Sequence, residues 1–305
     1  MTAQVDELNK TFGFSDKNNL LIFKNGDGDI PVVEIQNKFS SARISLQGAN
    51  LLSFVVNKKG KLIWLSEDAV FAKGKSVRGG IPICWPWFGA HKKQASFPAH
   101  GFARTALWAV SSTEQLSSGE TKIIFNLKTD TLDEKIKMMW PIPTTVEYTL
   151  TIGAILRLEL TTTNNGQKDI IIGEALHTYF NVNDIHKTQI SGLDKTEYLD
   201  KPDNYKRKQQ NGNITINEEV DRVYIDTASE VVIRHGVKKI IIKKQESLST
   251  IVWNPWKAVA NKMDDLGKDG YVNMLCVESG NVSENMVVIK PGKHHTLKVS
   301  YELAS

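Results

Sequence analysis

Apolar and polar positions alternate with a period of two over short stretches of the chain, and turn-forming residues break these stretches at close intervals. Period two is the strand signature, because successive side chains of a strand point to opposite faces. In the first third it predicts strands over Leu20 to Lys24, Pro31 to Ile35, Ala42 to Leu46, Leu51 to Val56 and Lys61 to Leu65. Further strands are predicted over Leu107 to Ser111, Lys122 to Leu127, Thr145 to Ile152, Leu156 to Thr163 and Ile170 to Phe180. Val231 to Arg234, Lys239 to Lys244, Ser249 to Trp253, Met274 to Glu278, Asn285 to Ile289 and His295 to Tyr301 complete the set. Asn25-Gly26, Asn57-Lys58-Lys59-Gly60, Asn164-Asn165-Gly166-Gln167 and Pro291-Gly292 supply hairpin turns. Helical periodicity is scarce. So many strands without intervening helices exclude a βαβ architecture and predict an all-β fold, a large antiparallel β-sandwich. No linker or internal repeat interrupts it, so residues 1–305 are expected to form a single domain.

The stretch Gly173 to Val182 is the one around which the chain is organised. Read as an unbroken strand, it puts Ala175, His177 and Tyr179 on one face and Glu174, Leu176, Thr178 and Phe180 on the other. His177 then has one small and one hydrogen-bonding aromatic neighbour, which leaves room for a ligand beside the imidazole. A histidine in a strand is otherwise a core residue satisfied by backbone, so only partners elsewhere decide its role.

Composition narrows the functional classes. Hydrophobic residues at 41% and charged residues at 24% of 305 are ordinary for a globular protein. The net charge of +4 is a mild excess without a basic arm, which gives no ground for a nucleic-acid partner. The densest basic cluster, Lys201 to Lys208, also carries Pro, Asp, Asn and Tyr and reads as a solvated loop. Cys84 and Cys276 lie far apart without metal-ligand spacing, which suggests neither a zinc site nor a disulfide and fits a reducing cytoplasm. The N-terminus lacks a basic-then-apolar leader, and no apolar run reaches the eighteen or so residues of a membrane span. The expectation is an unprocessed, soluble, monomeric protein with no membrane association.

Candidate chemistry concentrates in a few loops and strand ends. Ser76 to Gly89 combines Gly79 and Gly80 with Pro82 and Pro86 and with Trp85, Trp87 and Phe88. Glycines let a ligand approach the backbone, Arg78 offers a planar donor fork to an anion, and the aromatics read as a cover for the end of the sandwich. His100-Gly101 adds an imidazole on a permissive backbone as a candidate substrate contact, and Arg104 adds a second guanidinium. Asp221 in Asp221-Arg222-Val223-Tyr224 can accept from sugar hydroxyls or pair with a neighbouring cation. Glu278 leaves an apolar strand at Ser279-Gly280, a place where partial burial raises the basicity of a carboxylate.

Taken together, Arg78-Gly79-Gly80, Cys84-Trp85-Pro86, His100-Gly101-Phe102-Ala103-Arg104, His177-Thr178-Tyr179-Phe180-Asn181, Asp221-Arg222-Val223-Tyr224, Trp253-Asn254-Pro255-Trp256 and Glu278-Ser279-Gly280-Asn281 resemble the aldose 1-epimerase family, in its glucose-6-phosphate 1-epimerase (hexose-6-phosphate mutarotase) branch. The motifs keep the family's order from about Leu20 to Tyr301. The resemblance implies a galactose-mutarotase-like β-sandwich with the sugar across the concave face of one sheet. It further implies His177 as general acid, Glu278 as general base, and Arg78, Arg104 and Asp221 as substrate contacts. Some members use a Gln before the histidine of His100-Gly101, where this chain has Ala99. Members acting on free galactose usually carry Asn before the catalytic histidine, where this chain has Leu176, and that departure favours a hexose 6-phosphate as substrate.

Exchanging the α and β anomers needs one base to take the C1 hydroxyl proton and one acid to protonate the ring oxygen, so neither metal nor other cofactor is expected. On this reading Glu278 starts ionised and His177 protonated, the carboxylate favouring the imidazolium. Two other classes remain. A glycoside hydrolase would use Asp221 with Glu278 as its carboxyl pair, and a non-catalytic carbohydrate-binding sandwich would use Trp85, Trp87 and Trp253 as stacking platforms.

Overall fold

Antiparallel pairing dominates the computed structural model of the protein, which describes residues 2–17 and 19–304. Every ladder between its strands is antiparallel. A six-stranded meander runs in sequence order from Phe14–Ser15 to Gly60–Lys61. A nine-stranded sheet has Ile155–Asn164 and His294–Ala304 at its centre. An eight-stranded sheet carries Val220–Tyr224, Ser249–Asn254, Met274–Asn281, Glu174–Leu176 and Ile83–Cys84 as successive neighbours, with Tyr179–Asn181 also paired to Met274–Asn281.

The expected alternation is what builds the core. Thr121–Lys128, Thr144–Ile152 and Ile155–Asn164 bury every second residue, so Phe125, Tyr148, Leu150, Leu158 and Leu160 form one inner face of the nine-stranded sheet. Leu176, Phe180, Leu275 and Val277 of the eight-stranded sheet join the same continuous hydrophobic cluster. Polar links cross between the layers as well: Trp85 Nε1 donates to Thr162 Oγ1 at 3.1 Å, and Thr178 Oγ1 lies 2.7 Å from Tyr301 Oη. Met274–Asn281 is buried along its whole length, because its other face is covered too. The antiparallel all-β sandwich expected from the sequence is the fold.

Several boundaries differ from expectation. The predicted Lys61-to-Leu65 strand shrinks to Gly60–Lys61 followed by isolated bridges from Ile63 to Phe180 and Leu65 to Gly79. Ile170 to Phe180 is three pieces, Ile170–Ile172, Glu174–Leu176 and Tyr179–Asn181. Met274–Asn281 continues past Glu278, so the carboxylate lies within the strand instead of ending it. Thr188–Ser191, Glu197–Asp200, Lys206–Gln209, Ile214–Thr215 and Val220–Tyr224 were not anticipated. Lys206–Gln209 is wholly polar and lies at a sheet edge, so it has no apolar face to betray it. Helix Thr2–Phe12 was also hidden, since only Val5, Leu8 and Phe12 mark the face it packs on the core. Among the described residues no helix is long and apolar enough to cross a membrane.

Candidate active site

The strand Met274–Asn281 carries the floor of the site. Leu275 and Val277 point into the core, which sends Cys276 and Glu278 to the opposite face. Across from it, Leu176 pairs with Ser279 and Tyr179 with Cys276, so the register that spans the gap puts His177 opposite Glu278. The ladder itself is interrupted there. His177 N donates to Pro82 O at 2.9 Å and Tyr179 N to Gly80 O at 3.0 Å, so the glycine-proline loop takes over the backbone hydrogen bonds of the central segment. Gly79 and Gly80 have φ of 112° and 77°, and a Cβ on Gly80 would meet Leu51 O at 2.7 Å, which is why this loop needs glycine where it passes under the site.

The result brings His177 Nε2 within 3.3 Å of Glu278 Oε1. The two residues, far apart in sequence, therefore meet between neighbouring positions of one sheet, not across the sandwich. Glu278 Oε2 is buried and has no hydrogen-bond partner among the described residues, a group that calls for an explanation in chemistry. Burial, reinforced by the charge of Asp221, pushes the Glu278 carboxyl well up against the opposing pull of Lys201 and Arg104. Burial likewise pushes the His177 imidazole well down, and His100, Arg104 and Arg78 add to it. Both shifts run toward the uncharged forms, away from the carboxylate and imidazolium expected from the sequence. The proton count is the same in either arrangement: one proton held between two groups.

The cavity above the pair has a volume of about 290 Å³ and is lined by Arg78, His100, Arg104, His177, Asp221 and Glu278, all six residues singled out from the sequence. Arg78 is held by Asp265 (Nε to Oδ1, 3.1 Å) and donates to Tyr179 Oη at 3.2 Å. Arg104 spends one nitrogen on Ala99 O at 2.7 Å. His100 sits at φ 65° before Gly101, whose missing Cβ makes room for the Trp85 carbonyl. Its Nδ1 accepts from Gly89 N at 3.4 Å, and burial with the nearby charges of Arg104, Lys201 and Arg78 lowers its pKa to about 3, so it is a neutral ring.

Lys201 is the residue that sequence reasoning missed. It was grouped with a solvated basic loop, yet its ammonium lines the cavity, 2.5 Å from Asp221 Oδ2 and 5.8 Å from the centre of the Phe88 ring. Burial works against its charge, but Asp221 outweighs burial and raises it. Asp221 is itself raised by burial. Its carboxylate is thus committed to a cation, which does not suit it to be the second carboxyl of a hydrolase pair. The aromatics divide. Trp253 and Phe88 line the cavity, whereas Trp85 is fully buried against Phe102 and Trp140, and Trp87 stacks on Phe97, so the two loop tryptophans form no platform for a sugar.

Among the described residues, donor atoms of His177, Cys276 and Glu278 lie within 4.8 Å of one another, the spacing of a metal site. Burial keeps the Cys276 thiol protonated, and a thiol must lose its proton to ligate, so the trio reads first as a hydrogen-bonded network.

Comparison with known proteins identifies the family. The model of the family described as aldose 1-epimerase matches residues 31–302. A protein of Escherichia coli provisionally named glucose-6-phosphate 1-epimerase is 34% identical over 270 residues, 88% of each chain. A relative from Cenchrus ciliaris with the same provisional name is 34% identical over 261 residues, 83% of this chain and 78% of its own. The crystal structure of a protein of Salmonella typhimurium, provisionally titled a mutarotase, superposes with a TM-score of 0.87 at 28% identity over 99% of both chains. A galactose mutarotase-like protein of Clostridium acetobutylicum shares the fold, with a TM-score of 0.75 at 11% identity over 95% of this chain and 100% of its own.

Proposed function

The chain belongs to the aldose 1-epimerase family and is an epimerase of the isomerase class, and from that premise we propose that it interconverts the α and β anomers of a hexose 6-phosphate, glucose 6-phosphate above all. Glu278 is the base and His177 the acid. In the ring-opening direction the shared proton stands on His177 Nε2. Glu278 takes the proton of the C1 hydroxyl, the C1–O5 bond breaks with its electron pair passing to O5, and His177 protonates O5. The aldehyde then rotates about C1–C2, and as the ring closes on the other face His177 takes the proton back from the O5 hydroxyl while Glu278 gives its proton to the carbonyl oxygen at C1. After opening, the pair is a carboxylic acid and a neutral imidazole, the uncharged forms toward which burial pushes both groups, so the open-chain intermediate meets an environment matched to it.

The observation that carries this reading is the 3.3 Å contact between His177 Nε2 and Glu278 Oε1 in a cavity that also holds Arg78, Arg104 and Lys201. Three cations facing one cavity exceed what neutral hydroxyls need and suit a dianionic ester. Arg78 is tied to Asp265 and Lys201 to Asp221, whereas among the described residues Arg104 bonds only a backbone carbonyl, that of Ala99, and is the freest of the three. Asp221 and the neutral His100 offer an acceptor and a donor to sugar hydroxyls, in place of the contact absent at Ala99. The test is exchange NMR on equilibrated glucose 6-phosphate. Magnetisation transfer between the anomeric protons should accelerate with protein concentration, and an unchanged exchange rate would sink the proposal.

A further inference from the structure

Both cysteines of the chain stand behind the two histidines of the cavity. Cys84 Sγ is 3.3 Å from His100 Nδ1 and Cys276 Sγ is 3.7 Å from His177 Nδ1, and both are buried and free of disulfide. They approach from strands on either side of Glu174–Leu176. The same pairing of sulfur and imidazole is therefore built twice, on independent elements.

The two contacts differ in direction. His100 Nδ1 already receives the Gly89 N–H, so it is an acceptor and Cys84 donates its S–H to it. At His177 the opposite holds. Its Nε2 faces Glu278 Oε1, and Glu278 Oε2 is buried with no hydrogen-bond partner among the described residues, so a full charge on that carboxyl would be left uncompensated and the carboxyl keeps its proton, shared with a lone pair on Nε2. A neutral ring with a lone pair on Nε2 carries its proton on Nδ1, which points at Cys276. Sulfur accepts N–H at longer separations than oxygen, as the 3.7 Å contact requires.

We propose that Cys276 is a positioning residue for His177, its sulfur accepting the Nδ1–H so that Nε2 faces Glu278 ready to take the shared proton. The proposal rests on the acid role given to His177 above and explains how that role starts. The proton passes from Glu278 Oε1 to His177 Nε2 as substrate binds, leaving a carboxylate and an imidazolium without either ring nitrogen losing a proton it must regain. Nδ1 keeps its hydrogen in both states, so the sulfur is an acceptor throughout. A carboxylate or carbonyl in this position would bind the imidazolium far more strongly and hold the proton on the histidine. A thiol fixes the ring and its tautomer while leaving the proton nearly balanced between the partners. The other groups facing the ring are consistent with that balance: Tyr179 stacks on it at 4.9 Å, His100 meets it edge-on at 5.7 Å, and Arg78 and Arg104 disfavour a second positive charge.

The decisive measurement needs no variant at Cys276. Long-range ¹H–¹⁵N correlation spectra of the unaltered protein, with the His177 ring assigned by its disappearance in His177→Asn, should show a protonated Nδ1 and an unprotonated Nε2 at neutral pH. A protonated Nε2 beside a bare Nδ1 would overturn the proposal. Cys276→Ala should then lower kcat for anomer exchange by about ten-fold with KM unchanged. Cys276→Ser, which restores an acceptor, should recover kcat and move the acid limb of its pH profile upward. A Cys276→Ala enzyme with the parent's kcat and pH profile would also refute it. If the spectra show the stated tautomer but His177→Asn exchanges anomers normally, the hydrogen bond stands and the catalytic reading fails instead.

Discussion

The 3.3 Å contact between His177 Nε2 and Glu278 Oε1 is what the proposed chemistry of each side chain in the site depends on. His177→Asn and Glu278→Gln each keep the shape and remove one exchanger, so each should slow anomer exchange by at least about 10²-fold in a folded protein. Ordinary Glu and His values of about 4.3 and 6.5 would confine the one-proton pair to a narrow band. Burial raises the first and lowers the second. Adding a second proton then requires a lower pH, and removing the only one requires a higher pH. The kcat profile should be a broad bell that extends beyond both ordinary values, and a sharp optimum between them would contradict the buried pair. At the phosphate end, Lys201→Met should reduce kcat/KM on glucose 6-phosphate by about ten-fold, since a hydrogen bond to a charged group contributes roughly 1.5–3 kcal/mol, while leaving any activity on free glucose nearly unchanged. Equal losses on both sugars would assign Lys201 to orienting Asp221. The candidate site residues were legible because the short motifs around His177, Glu278 and the arginines occur together and in the family's order, although none of them is specific alone. Lys201 was not, because Lys201-Pro202-Asp203-Asn204-Tyr205 has the composition of any solvated turn. Only the pairing of Lys201 N with Asp221 O at 3.0 Å turns its side chain inward.

At the scale of elements, the site exists because a strand stops pairing for two residues without losing register. Alternation in Glu174 to Asn181 is unbroken in the sequence, so it correctly put Ala175, His177 and Tyr179 on one face, as the stacking of His177 on Tyr179 shows. It could not reveal the interruption, because the backbone partner that replaces the ladder comes from Gly80 and Pro82, a distant loop. That dependence is testable at Gly80. Its φ of 77° and the closeness of Asn50 and Leu51 leave no space for a methyl group. Gly80→Ala should lose more than about 1 kcal/mol in urea denaturation. The residual folded protein should also be slow in exchange, because the shifted loop drags His177 N with it. An alanine variant with parental stability and activity would mean that the loop accommodates the side chain elsewhere and does not fix the histidine.

Across the whole molecule, the two large sheets are joined by apolar packing and by a few polar links that the sequence could not show, since each depends on which strands face one another. One of them is ionic. His295 in the nine-stranded sheet bonds Glu174 in the eight-stranded sheet, Nε2 to Oε1, at 2.9 Å, and Asn281 Nδ2 donates to the same oxygen at 2.9 Å. Burial alone would lower the His295 pKa, but its hydrogen bond to Glu174 and the charges of Glu174 and Glu246 outweigh burial and raise it. A base whose pKa rises on folding binds its proton more tightly in the folded state. Its contribution is therefore fully present below the unfolded value of about 6.5 and is lost as pH climbs through the folded value. His295→Gln retains a donor toward Glu174 and cannot gain the proton. The stability gap between parent and variant, measured by urea denaturation, should be widest near about pH 5.5 and should shrink toward about pH 9. A gap that stays constant over that interval would mean that the layers are joined here by a neutral hydrogen bond, and that the charge on His295 does not help hold the sandwich together.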